Sequence, residues 1–305
     1  MIRDELLKKV IDLLEESGYI VAQQFCPGCF DILAKGKEVL LIKILTNIDS
    51  FYEEQAEDLL RVANVMKAAP LIVGIMASGN YMKEKTMYER HSIPAVNFET
   101  FVQTIVNKKF PFVYAKKGGY YATIDSDFLK EVRSKKNLSL GDLAREAGVS
   151  KSSIINYERG KGAEIDNIMR LQDALGDIMI ETIDIFKPEK REHEGNNIPK
   201  EENKITRHLS DLGFKTATVK KASFKIIGRN KKDILLTGTK SKAVEKRAED
   251  IQRARKTLDQ HGMLVLEKAK RKLLSGLPVF ETEEFEDVVS SKELLKILKE
   301  FEEDY

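Results

Sequence analysis

The chain has 305 residues, 42% of them hydrophobic and 33% charged, so we expect two or three domains with sizeable cores. This apolar content excludes a wholly disordered chain, and the longest apolar runs are far shorter than the ~20 residues that cross a bilayer. Because 51 Lys and Arg face 49 Asp and Glu, the net charge is only +2, and any surface that attracts nucleic acid must be a local one.

The first predicted piece, residues 1–107, alternates helical and strand patterns. Apolar residues recur at helical spacing over residues 6–14 and again over residues 53–66. Short runs rich in branched residues predict strands at residues 30–34, 39–45, 71–75 and 93–96. This mixture predicts an α/β domain with a central sheet.

The second predicted piece, residues 112–187, begins with a β-hairpin and continues as short helices. Aromatic and branched residues at 112–124 flank Lys116-Lys117-Gly118-Gly119, which suits a tight turn. The following residues lose strand character and predict an all-α segment. Residues 188–203 are polar, charged and interrupted by Pro and Gly, so we predict a linker there.

The third predicted piece, residues 204–305, follows the first in the order of its motifs. EEQAED at residues 53–58 matches EKRAED at residues 245–250 at four of six positions, and an arginine follows each three residues later. We therefore predict an internal duplication, in which two related α/β domains flank the helical segment and the second copy is the more degenerate. Chance similarity between two α/β segments is the alternative.

The helical segment has the local signals of two short helices joined by a glycine turn. Ser139 can cap one helix, Gly148 can end it, and Ser150 can cap the next. Ile154 and Tyr157 fall on one side of that next helix, and we predict that Tyr157 packs in the core. This order of elements predicts a helix-turn-helix.

The string LSLGDLAREAGVSKSSIINYERGKG, residues 138–162, resembles the lambda-repressor/Cro family. The resemblance implies that the helix starting at Lys151 is the recognition helix and enters the major groove. It departs from the family pattern at Leu140, where many members have a phosphate-contacting Gln. Repressor/Cro-type modules usually work as dimers, so the resemblance also implies a homodimer on double-stranded DNA.

Local charge agrees with DNA binding, because residues 128–161 contain eight positive and four negative side chains. Ser, Asn and Lys side chains can bond to base edges, whereas other cations position the protein on phosphates. We predict base or near-base contacts from Lys151, Ser152, Ser153 and Asn156. We predict phosphate contacts from Lys130, Lys136, Arg145 and Lys161. Arg159 is a further candidate for DNA contact, unless it forms a local salt bridge with Glu158.

The whole chain also resembles a family of archaeal helix-turn-helix transcriptional regulators. The similarity lies in FDILAKGKEVLLIKILTNIDSFYEEQAEDL, in VYAKKGGYYATI and in the helix-turn-helix itself. It implies a sequence-specific DNA-binding regulator rather than an enzyme.

A metal-dependent nuclease is the main alternative. Asp31 ends one strand signal and Lys43 lies in the next, which resembles the PD-(D/E)-x-K nuclease core of Holliday-junction resolvases. The second acidic position is Leu41, however, and Mg²⁺ needs hard oxygen ligands. Glu5, Glu53 or Glu57 is the alternative source of the missing carboxylate. The second copy has Lys225 in place of Asp31, and Thr237 or Gly238 in place of Lys43. We therefore predict restriction-endonuclease-like domains without a complete active site. A non-catalytic interaction scaffold is a third possibility.

Cys26-Pro27-Gly28-Cys29 provides only two of the four ligands that structural zinc requires. The four histidines have no ligand spacing, so we predict no metal and no cofactor. Two cysteines cannot build a disulfide framework, and acidic residues occupy the N-terminus where a signal peptide would be apolar. These features favour a cytoplasmic protein.

Overall fold

The computed structural model describes residues 2–24, 26–187 and 204–303. Two β-sheets, each with helices on both faces, lie on either side of a shared apolar core. The predicted linker, residues 188–203, lies outside the described residues. Among the described helices, none combines the length and apolar character needed to cross a membrane.

The first α/β unit is a twisted mixed sheet in which β3–β4 and β4–β7 are parallel pairs. Its elements are α1 (Arg3–Glu16), β1 (Ile20–Gln23), β2 (Ile32–Lys35), β3 (Val39–Asn47), a 3₁₀ turn (Ile48–Ser50), α2 (Glu53–Met66), β4 (Ala69–Ala77), β5 (Asn80–Tyr81), β6 (Thr86–Arg90), β7 (Ile93–Val96) and α3 (Phe98–Asn107). The strand order is β1-β2-β3-β4-β7-β6, with β5 paired to β4. Helices α1 and α3 cover one face, and α2 covers the other.

The helices of this unit form where the apolar spacing predicts them. In α1, Leu6, Val10 and Leu14 repeat every four residues and are buried, because this spacing keeps them on one face of a helix. Helix α2 spans the predicted residues 53–66 and begins with two acidic residues, which favour a helix N-terminus.

The helix-turn-helix module combines four helices with three short strands. Its elements are β8 (Val113–Lys116), β9 (Gly119–Ala122), α4 (Ser126–Lys135), α5 (Leu140–Glu146), α6 (Lys151–Tyr157), β10 (Ala163–Glu164) and α7 (Ile165–Leu175). The predicted hairpin is therefore present as β8 and β9. The module has its own core, built from Leu129, Leu143, Ile154, Tyr157 and Leu171 with their neighbours.

The strands of the module extend the sheet of the first unit. Strand β8 pairs in parallel with β6, and β10 adds to β9 on the far side. After α7, the chain returns to the first α/β unit, where Ile185 is fully buried and Phe186 packs edge-on against Phe110 at 6.0 Å. The module is thus fixed to the first unit by a strand connection and by its returning C-terminal segment.

The second α/β unit repeats the element order of the first. Its elements are α8 (Lys204–Asp211), β11 (Lys215–Thr218), β12 (Ile226–Asn230), β13 (Asp233–Thr239), α9 (Val244–Leu258), β14 (His261–Leu266), β15 (Leu273–Leu274), β16 (Leu277–Glu281), α10 (Thr282–Glu286) and α11 (Ser291–Glu303). The strand order β11-β12-β13-β14-β16 has the same antiparallel and parallel pairings as β1-β2-β3-β4-β7.

The two α/β units pack face to face with α2 and α9 between their sheets. Helix α2 contacts β11 and β12 of the second unit, and α9 contacts β1 and β2 of the first. Residues of both units contribute to one core, in which Phe30 and Phe224 have ring centroids 6.4 Å apart.

Each middle helix also carries a buried carboxylate that bonds to the opposite unit. Oδ2 of Asp58 accepts the backbone N–H groups of Lys220 and Lys221 at 2.8 and 2.6 Å. Oδ2 of Asp250 accepts the backbone N–H of Cys26 at 2.9 Å. Arg61 pairs with Asp58, and Arg253 pairs with Asp250. Both carboxylates are fully buried, so these bonds fix how the two units face each other.

We expect Asp58→Asn to lower the free energy of unfolding by about 3 kcal/mol, because it removes the charge from a buried, hydrogen-bonded ion pair. The chain has no Trp, so urea unfolding should be followed by circular dichroism and tyrosine fluorescence. Asp12→Asn, on the exposed side of α1, is the matched control. Equal urea midpoints for the two variants would contradict the role given to Asp58.

Candidate nucleic-acid interface

The two helices of the helix-turn-helix begin at side-chain caps. Ser139 Oγ accepts the backbone N–H of Asp142 at 3.1 Å, and the Asp142 carboxylate accepts the N–H of Ser139 at 3.1 Å. The Ser139 hydroxyl also donates to the Asp142 carboxylate at 2.6 Å, and this bond, the N–H of Ser139 and Arg145 lower the pKa of Asp142. Ser150 Oγ caps α6 by accepting the N–H of Ser153 at 3.0 Å. The turn between the helices passes through Gly148, whose φ of +62° favours glycine.

Helix α6 has one buried and one solvent-facing side. Ile154 and Tyr157 are buried in the module core, as predicted. Lys151 and Ser152 are exposed, whereas Ser153 and Asn156 are half-buried. The hydroxyl of Ser153 lies 2.8 Å from that of Ser150, so it is engaged at the helix start. The polar side chains at the N-terminal end of α6 therefore face away from the core.

The predicted phosphate-contacting residues fall into two groups. Lys136, Arg159 and Lys161 are exposed and, like Lys151, form no ion pair with any described residue. Lys130 pairs with Asp127, and Arg145 pairs with Asp142, each at 3.1 Å on the surface. Such exposed pairs contribute little to stability because water screens them, so a phosphate could displace the acidic partner.

The salt-bridge alternative for Arg159 is wrong, because Glu158 pairs with Arg133 instead. Nε of Arg133 lies 2.6 Å from Oε1 of Glu158, and Nη2 lies 3.3 Å from Oε2. This bidentate bond raises the pKa of Arg133 and ties α4 to the end of α6. Arg159 is left exposed. Leu140, at the position where many repressor/Cro members have Gln, packs against the module core.

Asp31 and Lys43, the residues that suggested a nuclease, bond to other groups of this chain. Oδ1 of Asp31 lies 2.8 Å from Nη2 of Arg3 and 3.2 Å from Nζ of Lys43. Oδ2 of Asp31 accepts the backbone N–H of Ile44 at 2.8 Å. Both Asp31 and Lys43 are buried, and Lys43 also donates to the carbonyl of Gly28. The carboxylate therefore has both oxygens occupied by donors from this chain.

Asp31 lies just before β2, not at the end of a strand as the sequence suggested. Its N–H bonds to the carbonyl of Ile42 in β3. Leu41 is fully buried at the second acidic position. Of the three acids that could replace it, Glu5 pairs with Lys9, Glu57 pairs with Arg61, and Glu53 is exposed at the start of α2. Among the described residues, no three His, Cys, Asp or Glu side chains converge as a metal site. The residues present do not fit Mg²⁺.

The second unit departs further from a nuclease site. Lys225 donates its N–H to Thr237 as Asp31 donates to Ile42, so Thr237 corresponds to Ile42 and Gly238 to Lys43. A side chain at Gly238 would lie 2.5 Å from that of Leu264, so apolar packing fills this position. Burial, with nearby Arg247 contributing, lowers the pKa of Lys225.

The two cysteines lie in the contact between the α/β units. Both are buried free thiols in the loop between β1 and β2. Burial raises the pKa of Cys29 to about 12, and burial together with a hydrogen bond to Asp250 raises the pKa of Cys26. The thiolate is the nucleophile and the metal ligand, so this environment disfavours both roles at neutral pH.

Comparison with known proteins finds two regions of the chain that match domain families. Residues 3–111 match the PD-(D/E)XK superfamily domain, and residues 129–178 match the helix-turn-helix family. The protein therefore combines a nuclease-type α/β domain with a helix-turn-helix.

Full-length relatives define the family further. A Thermococcus kodakarensis protein is 37% identical over 98% of this chain and 96% of its own length. Archaeoglobus fulgidus and Methanocaldococcus jannaschii proteins are 31% and 32% identical, over 97% and 98% of this chain and 97% of their own lengths. All three carry the name Putative HTH-type transcriptional regulatory protein. The chain belongs to this archaeal family.

We expect no cleavage of duplex or branched DNA by this protein in Mg²⁺ or Mn²⁺, because Asp31 is already bonded to Arg3, Lys43 and a backbone N–H. Labelled substrates should be incubated with the protein and with Asp31→Asn, purified in parallel. Cleavage by the protein that disappears in Asp31→Asn would restore the nuclease alternative. Cleavage that persists in both preparations would indicate a contaminant.

Proposed function

We propose that this protein is a sequence-specific DNA-binding transcriptional regulator that reads double-stranded DNA through α6 and does not act as an enzyme. The observation that carries the proposal is the two-sided character of α6. Its apolar residues anchor the helix in the module core, while Lys151 and Ser152 are exposed at its N-terminal end, where the Ser152 hydroxyl lies 2.7 Å from that of Ser150. The names of the relatives support a regulatory role.

Each predicted contact residue has a chemical role in this proposal. Lys151 can donate to guanine acceptors, and Ser152, Ser153 and Asn156 can donate and accept at base edges. Lys130, Lys136, Arg145, Arg159 and Lys161 surround this helix with positive charge and suit phosphate oxygens. Lys130 and Arg145 must first release their acidic neighbours, whereas the other cations are already free of described partners.

We also propose that the two α/β units, residues 1–107 and 204–305, arose by duplication and have a structural role. Their shared strand order and the matching bonds before β2 and β12 support this origin. Bonding of Asp31 within the first unit, and Gly238 in the second, supports a role without catalysis. Residues 112–187 would then be the DNA-binding domain inserted between the copies.

We expect Ser153→Ala and Asn156→Ala to reduce the preference for specific over random DNA. Each bidentate base contact that is lost should cost about 1–3 kcal/mol of discrimination. Lys136→Ala and Arg145→Ala should weaken binding to both DNA classes and reduce the salt slope by about one phosphate contact. A site selected from random DNA provides the specific probe, and fluorescence anisotropy measures binding at several salt concentrations.

Lys136→Ala and Arg145→Ala are the matched controls for Ser153→Ala and Asn156→Ala. If Ser153→Ala and Asn156→Ala keep the full preference for the selected site, α6 does not read the sequence. If the parent protein binds no DNA at any salt concentration, the interaction-scaffold alternative replaces the proposed function.

We propose that the regulator binds DNA as a homodimer, because repressor/Cro-type modules usually occupy two half-sites about 34–36 Å apart. Light scattering after size exclusion should give twice the mass of one chain on a palindromic selected site. A single chain both free and on DNA would contradict the dimer without affecting the assignment of α6.

A further inference from the structure

The β8–β9 hairpin ends in a basic turn to which the proposed function assigns no role. Lys116 and Lys117 are exposed there and form no ion pair with other residues that the structure describes. Gly118 follows with φ of +103°, a conformation that lets the strands reverse tightly and leaves both lysines at the tip.

The hairpin lies directly beside the segment that follows the recognition helix. The hydroxyl end of Tyr114 packs on Gly162, so closely that a side chain at this glycine would overlap it. Nζ of Lys116 lies 4.6 Å from the centre of the Tyr114 ring. Lys116 is thus one tyrosine ring away from the backbone that carries the exposed Arg159 and Lys161.

Surface shape agrees with this placement. A cleft of about 1070 Å³ is lined by Lys116 and Lys117 of the turn and by Gly160 and Gly162 after α6. The acidic residues Glu89, Glu181 and Asp184 also line this cleft. The basic turn and the segment after α6 therefore open onto the same solvent-filled space, and Arg159 and Lys161 are the exposed chain neighbours of the two glycines.

The hairpin is held rigidly with respect to α6. On one side, β8 pairs with β6 through Thr86↔Val113 and Met87↔Tyr114. On the other side, β9 pairs with β10, which begins six residues after the end of α6. A hairpin paired on both edges needs little further ordering when it binds, so its lysines can contribute to affinity at low entropic cost.

We propose that Lys116 and Lys117 form a wing that contacts the phosphates of duplex DNA next to the bases facing α6. Lysine ammonium groups are point charges that suit phosphate oxygens, and they position a protein without reading sequence. The nearby tyrosines favour a backbone contact over base stacking. Tyr114 is stacked against Tyr121 at 6.0 Å and has Lys116 over its ring, so its faces are already occupied.

This inference rests on the proposed DNA-binding function, and the experiment separates the two. Lys116→Gln/Lys117→Gln removes the charge from the wing. Lys231→Gln/Lys232→Gln is the matched control, because it removes two exposed lysines from the β12–β13 turn of the second unit. Binding to the selected site and to random DNA should be measured against salt for the parent and both variants, with thermal unfolding to check the fold.

We expect the wing variant to lose roughly tenfold or more in affinity for both DNA classes near about 0.1 M salt. Two lost phosphate contacts should flatten the slope of log K against log salt by about 1.8. The ratio of specific to random binding should stay unchanged, and the control variant should behave like the parent. Lys116→Arg/Lys117→Arg should keep the affinity of the parent, because it keeps both positive charges.

Three outcomes would overturn the wing. If the wing variant keeps the parent's affinity and salt slope while the parent binds DNA, the hairpin is not a contact. If the control variant loses as much DNA affinity as the wing variant, the loss results from the lower net charge of the protein and not from the hairpin. If the parent binds no DNA, both the wing and the proposed function are wrong.

Discussion

The structure depends on a pair of reciprocal bonds in which an acid from one α/β unit holds the backbone of the other. Asp58 and Asp250 are fully buried, and a buried charge is costly unless it is paired and hydrogen-bonded. Each has an arginine three residues later on its own helix and backbone N–H donors in the opposite unit. Apolar packing alone would tolerate several ways of placing α2 against the second sheet. The two carboxylates favour a single placement of the helix, because any other placement leaves a buried charge without its hydrogen-bond donors.

This contact lies next to the nuclease-type positions of the first unit. The loop before β2 is shaped by the neighbouring unit, since the N–H of Cys26 bonds to Asp250 and the N–H of Cys29 bonds to Lys221. A side chain at Gly28 would lie 3.1 Å from the carbonyl of Lys221, so the loop approaches the second unit closely. The same loop brings the carbonyl of Gly28 to Lys43, which also bonds to Asp31. Lys43, at one of the nuclease positions, thus holds the loop that contacts the second unit.

Local signals predicted the parts of the structure that local interactions determine. The caps at Ser139 and Ser150 and the turn at Gly148 are set by residues within a few positions, so the sequence indicated the boundaries of α5 and α6. The spacing of apolar residues also predicted α1 and α2. Strand β10 is different, because its two residues form a strand only through pairing with β9, about 40 residues earlier. The sequence analysis missed β10, and it missed β1, β5, β6 and α3 as well.

The polar contacts of the candidate site were harder to predict for the same reason. Arg133 and Glu158 are 25 residues apart and meet only when α4 packs beside α6. Neighbouring charges in the sequence suggested a Glu158–Arg159 pair, but Glu158 pairs with Arg133 and Arg159 stays exposed. The interleaving of α2 and α9 is also invisible locally, although the repeated acid and arginine at 58 and 61 and at 250 and 253 indicated that the two helices were alike.

Through the continuous sheet, the α/β units would take part in the proposed DNA binding. The module is joined to the first unit through β6, β8 and β9, and its C-terminal segment returns to bury Ile185 in that unit's core. The second unit is fixed to the first through the shared core. A change in the direction of α6 would therefore have to move the sheet or break its pairing. In the proposed dimer, the distance between two recognition helices would follow from how the whole chains associate, so the α/β units would determine which half-site spacing the regulator accepts.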